Sequence, residues 1–303
     1  MRIFENANYD FIQNRKKAYL FSGILLLLSL FSLIFHGLEL GIDFRGGMEF
    51  VVESDEPLPT TEVRSLLNDA LGVDPEVKSF GENALLVRML AEGDINQRQQ
   101  QIVEAIGGAY PQANPRVVKT DIVGPRFAED LKRGAIYSVI GSLLIIFLYI
   151  LIRFEWRFGV GAVVALFHDV TITLGAFALL HGFLPFSLQI DQAIIAAFLT
   201  IVGYSLNDTV VIFDRIREYA NLFKTEAYDS MVNRSINNTL SRTLITSGTT
   251  LLVVITLFIF GGEVLRGFAF ALIIGILIGT YSSIFVASPI VVELRQRANA
   301  RRT

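Results

Sequence analysis

The chain has 303 residues, of which 52% are hydrophobic and only 18% charged, well below the ~25% charged share of a soluble domain, so it reads as a membrane protein. A formal net charge of -3, with no basic stripe interleaved with aromatics, argues against nucleic acid as a partner. The absence of cysteine rules out disulfides, thiolate metal sites and cysteine nucleophiles together.

A hydrocarbon core ~30 Å thick is crossed by roughly 20 apolar residues in helical form. Six stretches qualify: 18–38, 135–152, 158–184, 192–213, 243–262 and 267–292. The first follows Arg2, Arg15, Lys16 and Lys17. Its apolar run exceeds the ~7–15 residues of a signal peptide and lacks a small-residue cleavage site, so it is expected to stay as an anchor.

Residues 41–133 alternate between the two periodicities of a small α+β unit. Strand patterns at 48–53, 77–80, 84–89 and 116–123 are interleaved with helical stripes at 60–71 and 94–110. That order, βαββαβ, is the ferredoxin-like arrangement. The unit holds neither a His, Cys or carboxylate cluster at metal-ligand spacing nor a nucleophile and base pair, so binding or movement is expected of it and not catalysis. No enzyme activity, cofactor or metal is implied.

The second and third spans are joined through Arg153 and Arg157, the fourth and fifth through Arg215, Arg217, Lys224 and Arg234, and the chain ends in Arg295, Arg297, Arg301 and Arg302. The opposite short connections, 185–191 and 261–266, offer Arg266 alone. Basic residues collect on the cytoplasmic side, so both termini are expected there, in a multi-pass protein of a bacterial inner membrane with the α+β unit in the periplasm. Four segments follow: 1–40 with the N-terminus and first span, 41–133 outside, 134–294 with five spans and a cytoplasmic loop at 214–241, and a basic tail at 295–303. In that loop Ile216, Tyr219, Ala220 and Phe223 recur at helical spacing among charges, which suits either a helix on the membrane surface or a solvated linker.

Two spans carry formal charge: the third has Asp169, preceded by His168, and the fourth has Asp208. An ionised carboxylate in hydrocarbon costs ~2.5–3.5 kcal/mol on translocon scales, so such a group is turned inward and paired or functional. Arg242 immediately precedes the fifth span, about twenty residues from its outer end at Gly262, and at ~1.5 Å per residue it reaches a depth similar to that of Asp208. An arginine keeps its charge, so helix movement that offers and withdraws it would make the acid release and take up a proton. Asn207 precedes the acid and Ser205 lies one helical turn before it, and Thr246, Thr249 and Thr250 follow Arg242 at offsets that form a polar seam. The alternative is a static salt bridge with interhelical hydrogen bonds. His168 and Asp169 fit an extension of the proton path or a satisfied interhelical contact equally. Gly275 and Gly279 form a GxxxG whose ordinary meaning is close helix packing.

The run 203–218, Gly-Tyr-Ser-Leu-Asn-Asp-Thr-Val-Val-Ile-Phe-Asp-Arg-Ile-Arg-Glu, closely resembles the fourth-helix signature of the SecD/SecF protein-export family. Residues 242–250 resemble the fifth-helix signature, with Phe260, Gly261 and Gly262 at its end. Gly41 to Gly47 resembles the motif after the first span, with Phe44 as in the SecF branch where SecD commonly has leucine. Val123-Gly124-Pro125 and His168-Asp169 also fit. The match covers essentially the whole chain, and its single external domain suits the SecF branch.

The resemblance implies a six-helix bundle of the resistance-nodulation-division type that uses the proton-motive force with SecD to assist preprotein translocation and release. The implied partners are SecD, the SecY/SecE/SecG translocon, SecA functionally, the translocating preprotein and membrane lipid. The family's transmembrane acid and arginine fall on Asp208 and Arg242. Two rival readings are a proton-driven exporter of small molecules or lipids and a structural translocon subunit that conducts no protons.

Overall fold

The computed structural model describes residues 7–184 and 186–300, the side chains of Glu263 and Val264 excepted. Arg2, Pro185, Arg301 and Arg302, used above to read orientation, lie outside the described residues. The chain forms two compact units, one of residues 1–38, 138–179 and 194–303, the other of 39–137 and 180–193.

The second unit contains a four-stranded antiparallel sheet and two helices. Its elements are β1 (Gly47–Glu53), β2 (Glu76–Ser79), β3 (Ala84–Met89) and β4 (Arg116–Val123), with helices at Thr60–Leu71 and Ile95–Ala109. Strand order is β2-β3-β1-β4, with Phe50 opposite Val87 in the β1–β3 pair. Alternate β1 residues Met48, Phe50 and Val52 share one face with Leu85, Val87 and Met89 of β3, and on it lie Val63, Leu67, Ile102 and Ile106 of the two helices. The apolar stripes of the sequence therefore become one core. Asp94 caps the second helix by accepting from the Asn96 and Gln97 amides at 2.9 and 3.0 Å.

A single helical turn, Ile42–Arg45, leads into β1 through Gly46 and Gly47. Both have positive φ, 75° and 138°, and a Cβ on Gly47 would stand 2.7 Å from the Met89 carbonyl oxygen. The two glycines are thus demanded by backbone conformation and by the closeness of β3.

Beyond the sheet, Glu39 and segment 180–193 complete this unit. The Gly41 amide donates to the Ile190 carbonyl at 2.8 Å, and the Ile190 amide to the Glu39 carbonyl at 2.7 Å. The Glu39 carboxylate is met by Lys78 of β2, by His181 and by Gln189. Gln189 also contacts Arg88 of β3, whose guanidinium reaches Glu49 at 2.6 Å and Glu76 at 3.3 Å. Partial burial acts to raise the Glu39 carboxyl, but the hydrogen bonds from Lys78 and Gln189 outweigh it and bring the group from its ordinary 4.5 to about 2.

Among the described residues six helices are long and apolar enough to cross a membrane, as the six apolar stretches predict. We label them α1 (Arg15–Phe35), α2 (Pro125–Arg153), α3 (Trp156–Leu180), α4 (Gln192–Leu222), α5 (Tyr228–Phe260) and α6 (Leu265–Ala300). α6 is interrupted by a π-helical turn at Ser283–Ala287. The helices differ in how far this chain covers them. The apolar windows of α3 and α6 are half buried or more, whereas that of α2 is almost wholly uncovered.

The segment 214–241 is neither a surface helix nor a linker. α4 continues in line to Leu222 and α5 begins at Tyr228, leaving only 223–227 as a connection. The reason is packing: Ile212, Phe213 and Ile216 on α4 join Met231, Val232 and Ile236 on α5 in one apolar cluster with Phe154 and Phe158. An apolar face that continues past the charged residues carries the helical hydrogen bonding with it.

Candidate functional site

The buried face of α4 runs through Ile201, Val202, Ser205, Asp208, Thr209 and Ile212, spaced by three and four residues. That period places Asp208 inside the bundle, 2% exposed. Its Oδ2 accepts a hydrogen bond from Ser247 of α5 at 3.1 Å, with Thr280 of α6 at a longer 3.5 Å. Thr280 in turn donates to Ser247 at 2.7 Å. Three helices therefore meet at one acid through two hydroxyls.

Arg242 is not among its contacts. It is exposed, and among the described residues no carboxylate comes within ion-pair distance of it; its charge reaches Asp208 only through space. The direct salt bridge considered from the sequence is absent for a helical reason. Residues five apart are turned by ~140° at 3.6 residues per turn, so an α5 that presents Ser247 to Asp208 must point Arg242 elsewhere. Thr246 and Thr249 turn away as well and donate to their own helix, to the carbonyls of Arg242 and Ile245 at 2.9 Å each. Thr250 donates to the Thr246 carbonyl at 3.0 Å and accepts from Tyr204 of α4 at 3.3 Å. Asn207 is exposed beside the acid.

Ser205, by contrast, belongs to a second buried carboxylate. It donates to Asp169 Oδ2 at 2.5 Å, and Ser282 of α6 donates to the same oxygen at 2.7 Å. The other oxygen, Oδ1, lies 2.9 Å from His168 Nδ1. His168 Nε2 meets Ser22 of α1 at 3.1 Å, and Ser22 meets the Tyr281 hydroxyl at 3.1 Å. His168 and Asp169 are 3% and 1% exposed. Both polar atoms of the imidazole are engaged, and the Asp169 carboxylate is held from three helices.

The two carboxylate centres are neighbours along α4 and α6. One helical turn separates Ser205 from Thr209, whose hydroxyl lies 2.8 Å from that of Ser283, and Ser283 reaches the Ser205 carbonyl at 3.4 Å. The π turn begins at Ser283, and Ser288 closes it with a hydrogen bond to the Ser283 carbonyl at 2.8 Å. Close approach of the helices makes this possible. Gly275 and Gly279 face Ile201 and Ser205 of α4, and Gly175 of α3 faces Ser29 of α1 so closely that a Cβ there would overlap it.

Ser22, Ser247, Thr280, Tyr281 and Ser282 are site residues that the charge pattern alone did not single out. A signal existed for some of them: the run Thr280-Tyr281-Ser282-Ser283 is an unbroken polar interval in an otherwise apolar span. Among the described residues no cluster of three or more His, Asp or Glu is arranged to hold a metal.

Comparison with known proteins adds identity to this geometry. The family model "Protein export membrane protein SecD/SecF, C-terminal" matches residues 103–297, and the "SecD/SecF GG Motif" matches 31–58, which includes Gly46 and Gly47. The protein translocase subunit SecF of Rhodothermus marinus is 71% identical over 302 residues, covering 100% of this chain and 98% of that one. SecF of Vibrio alginolyticus is 43% identical over 289 residues, with 94% and 89% covered. The crystal structure of SecDF, a translocon-associated membrane protein from Thermus thermophilus, superposes with a TM-score of 0.87 at 34% identity over 98% of this chain. A SecDF structure in a super-membrane-facing form gives 0.72 at 35% identity, also over 98% of this chain. This chain spans 40% of the length of each of those SecDF chains. By matched motifs, full-length relatives and fold, the chain belongs to the SecD/SecF family of protein export membrane proteins.

Proposed function

We propose that the chain is the SecF-type subunit of the Sec protein-export machinery and uses the proton-motive force, with SecD, to assist translocation and release of preproteins. The observation that carries the proton-driven part is Asp208: a buried acid held by hydroxyls in a membrane span, with a permanently charged arginine on an adjacent helix and not paired to it. Such an acid has two protonation states of different hydrogen-bonding need, and helix movement that brings Arg242 closer selects the charged one. One elementary charge crossing ~100 mV releases ~2.3 kcal/mol, enough to bias a two-state helix rearrangement.

Exposed Arg242 and Asn207 in the spans support the pairing with SecD, since lipid is a poor neighbour for an arginine at that depth. A second six-helix half laid on this face covers both. The reading places the protein in the bacterial inner membrane with both termini cytoplasmic, and the unit around residues 41–133 in the periplasm as a ferredoxin-like domain. Its strand order and the βαββαβ succession support that assignment. SecY, SecE and SecG, SecA and the emerging preprotein are the further partners, and the role is mechanical, not enzymatic.

The test is secretion by cells carrying Asp208→Asn as their only copy. Loss of proton-dependent secretion with normal membrane insertion is expected. Wild-type secretion would favour a structural subunit that conducts no protons, and copurification without any SecD-like partner would favour a small-molecule or lipid exporter.

A further inference from the structure

The hydrogen-bonded chain through His168 does not end inside the bundle. Tyr281, its last member, lines a groove of about 450 Å³ with Asp10, Asn14, Lys17 and Phe21, at the N-terminal end of α1. Its hydroxyl also donates to the Ala18 carbonyl at 2.9 Å, and its ring stacks on Phe285 at 5.1 Å. The titratable and charged groups facing the chain are Asp169 on α3, Tyr19 on α1, Tyr281 on α6, and Glu293 near the end of α6, the last held 3.8 Å from Arg15.

We propose that Tyr281, Ser22, His168 and Asp169 form a proton-exchange chain between the interior of the bundle and the groove at the start of α1. This rests on the reading of the protein as a proton-driven subunit and names the route by which the side bearing the termini reaches the buried acids. Each step has its geometry. A proton on Asp169 passes to His168 Nδ1 as the Nε2 proton passes to Ser22 Oγ; the serine gives its own proton to Tyr281 Oη, and the tyrosine turns from the Ala18 carbonyl to release its own to water in the groove. The Ser22 and Tyr281 hydroxyls each gain one proton and lose one, Asp169 ends ionised, the water in the groove carries the proton, and the imidazole has changed tautomer. The reverse sequence reloads Asp169 and restores the tautomer. Inside, Ser205 links Asp169 to the turn of α4 that bears Asp208.

A static network would be satisfied by hydroxyls and amides alone. Here an imidazole stands between a carboxylate and a hydroxyl, with one nitrogen to each, which is the arrangement a relay requires.

The test uses vesicles containing this chain with its SecD partner, under an imposed pH gradient, with a trapped pH-sensitive dye. Tyr281→Phe, which keeps the ring stack, and Ser22→Ala are expected to slow proton flux by about tenfold or more and to change its solvent deuterium isotope effect, while Ser22→Thr restores it. Melting temperatures are measured beside the flux: loss of a buried hydrogen bond lowers them by itself, whereas a purely structural role leaves the isotope effect alone. Flux abolished in Asp208→Asn but unchanged in Tyr281→Phe and Ser22→Ala overturns the exchange chain and leaves the proton-driven reading standing. Flux that survives Asp208→Asn overturns that reading and the chain with it.

Discussion

Ser247 donates to Asp208 at 3.1 Å and thereby occupies the position that depth alone would have given to Arg242. The acid is satisfied by a neutral donor, so an asparagine in its place keeps an acceptor for Ser247. Asp208→Asn is therefore expected to melt within about 1 kcal/mol of the wild type while proton-driven secretion is lost. Thermal unfolding in detergent, read beside a secretion assay, separates the two effects. Ser247→Ala should do the opposite in part, lowering stability by about 1–3 kcal/mol because the buried acid loses its nearer donor.

Arg242 is uncovered, so its removal costs the isolated chain little. Arg242→Met should leave the melting temperature of this chain alone within the change expected for about 0.5 kcal/mol, yet weaken copurification with SecD. Unaltered copurification would place the SecD contact on another face.

Close approach at Gly175 gives a steric prediction. A methyl group there overlaps Ser29 of α1, and the obstruction includes backbone, which cannot rotate aside. Gly175→Ala should destabilise the bundle by about 1–3 kcal/mol, measurable as a lower melting temperature in detergent. Because it pushes α1 from α3, it should also lengthen the Ser22 to His168 contact, and the paired variant Gly175→Ala with Ser29→Gly should recover part of the loss.

Glu39 supplies a pH dependence with a definite sign. Its folded carboxyl titrates at about 2 instead of 4.5, so the unfolded chain binds more protons between those values. The associated stability is fully present above about pH 4.5 and is lost as pH falls toward 2. Glu39→Gln should flatten this part of the acid-unfolding curve, followed by hydrogen exchange of the β2 and β3 amides in the full chain.

Long-period features were the legible ones. Six apolar stretches became six spans, and strand patterns at 84–89 and 116–123 became β3 and β4 at those residues, because burial of a face imposes its period on the sequence. Asp208 stood out because charge inside hydrocarbon is rare. Its partners did not, since a serine in a span is inconspicuous and only helix rotation decides whether Ser247 or Arg242 faces it. The Glu39 cluster was illegible for a related reason: Lys78, His181, Gln189 and Glu39 are far apart in sequence and are brought together by chain path, not by periodicity. At 214–241 charge density masks the helices, because the apolar face under those charges continues through Ile216 on α4 and Met231, Val232 and Ile236 on α5.

The π turn at Ser283–Ala287 acts on α6 as a dislocation acts on a crystal row: one extra residue is accommodated locally while the rows on either side stay in phase. Two adjacent serines, Ser282 and Ser283, can thus both point inward, one to Asp169 on α3 and the other to Thr209 on α4. Loss of a single residue within the turn would heal the defect into ordinary α-helix and leave Val291 and Val292 in their buried places. The helix would survive such a deletion, but the inward pair would be broken, and either the Ser282 contact to Asp169 or the Ser283 contact to Thr209 would go with it.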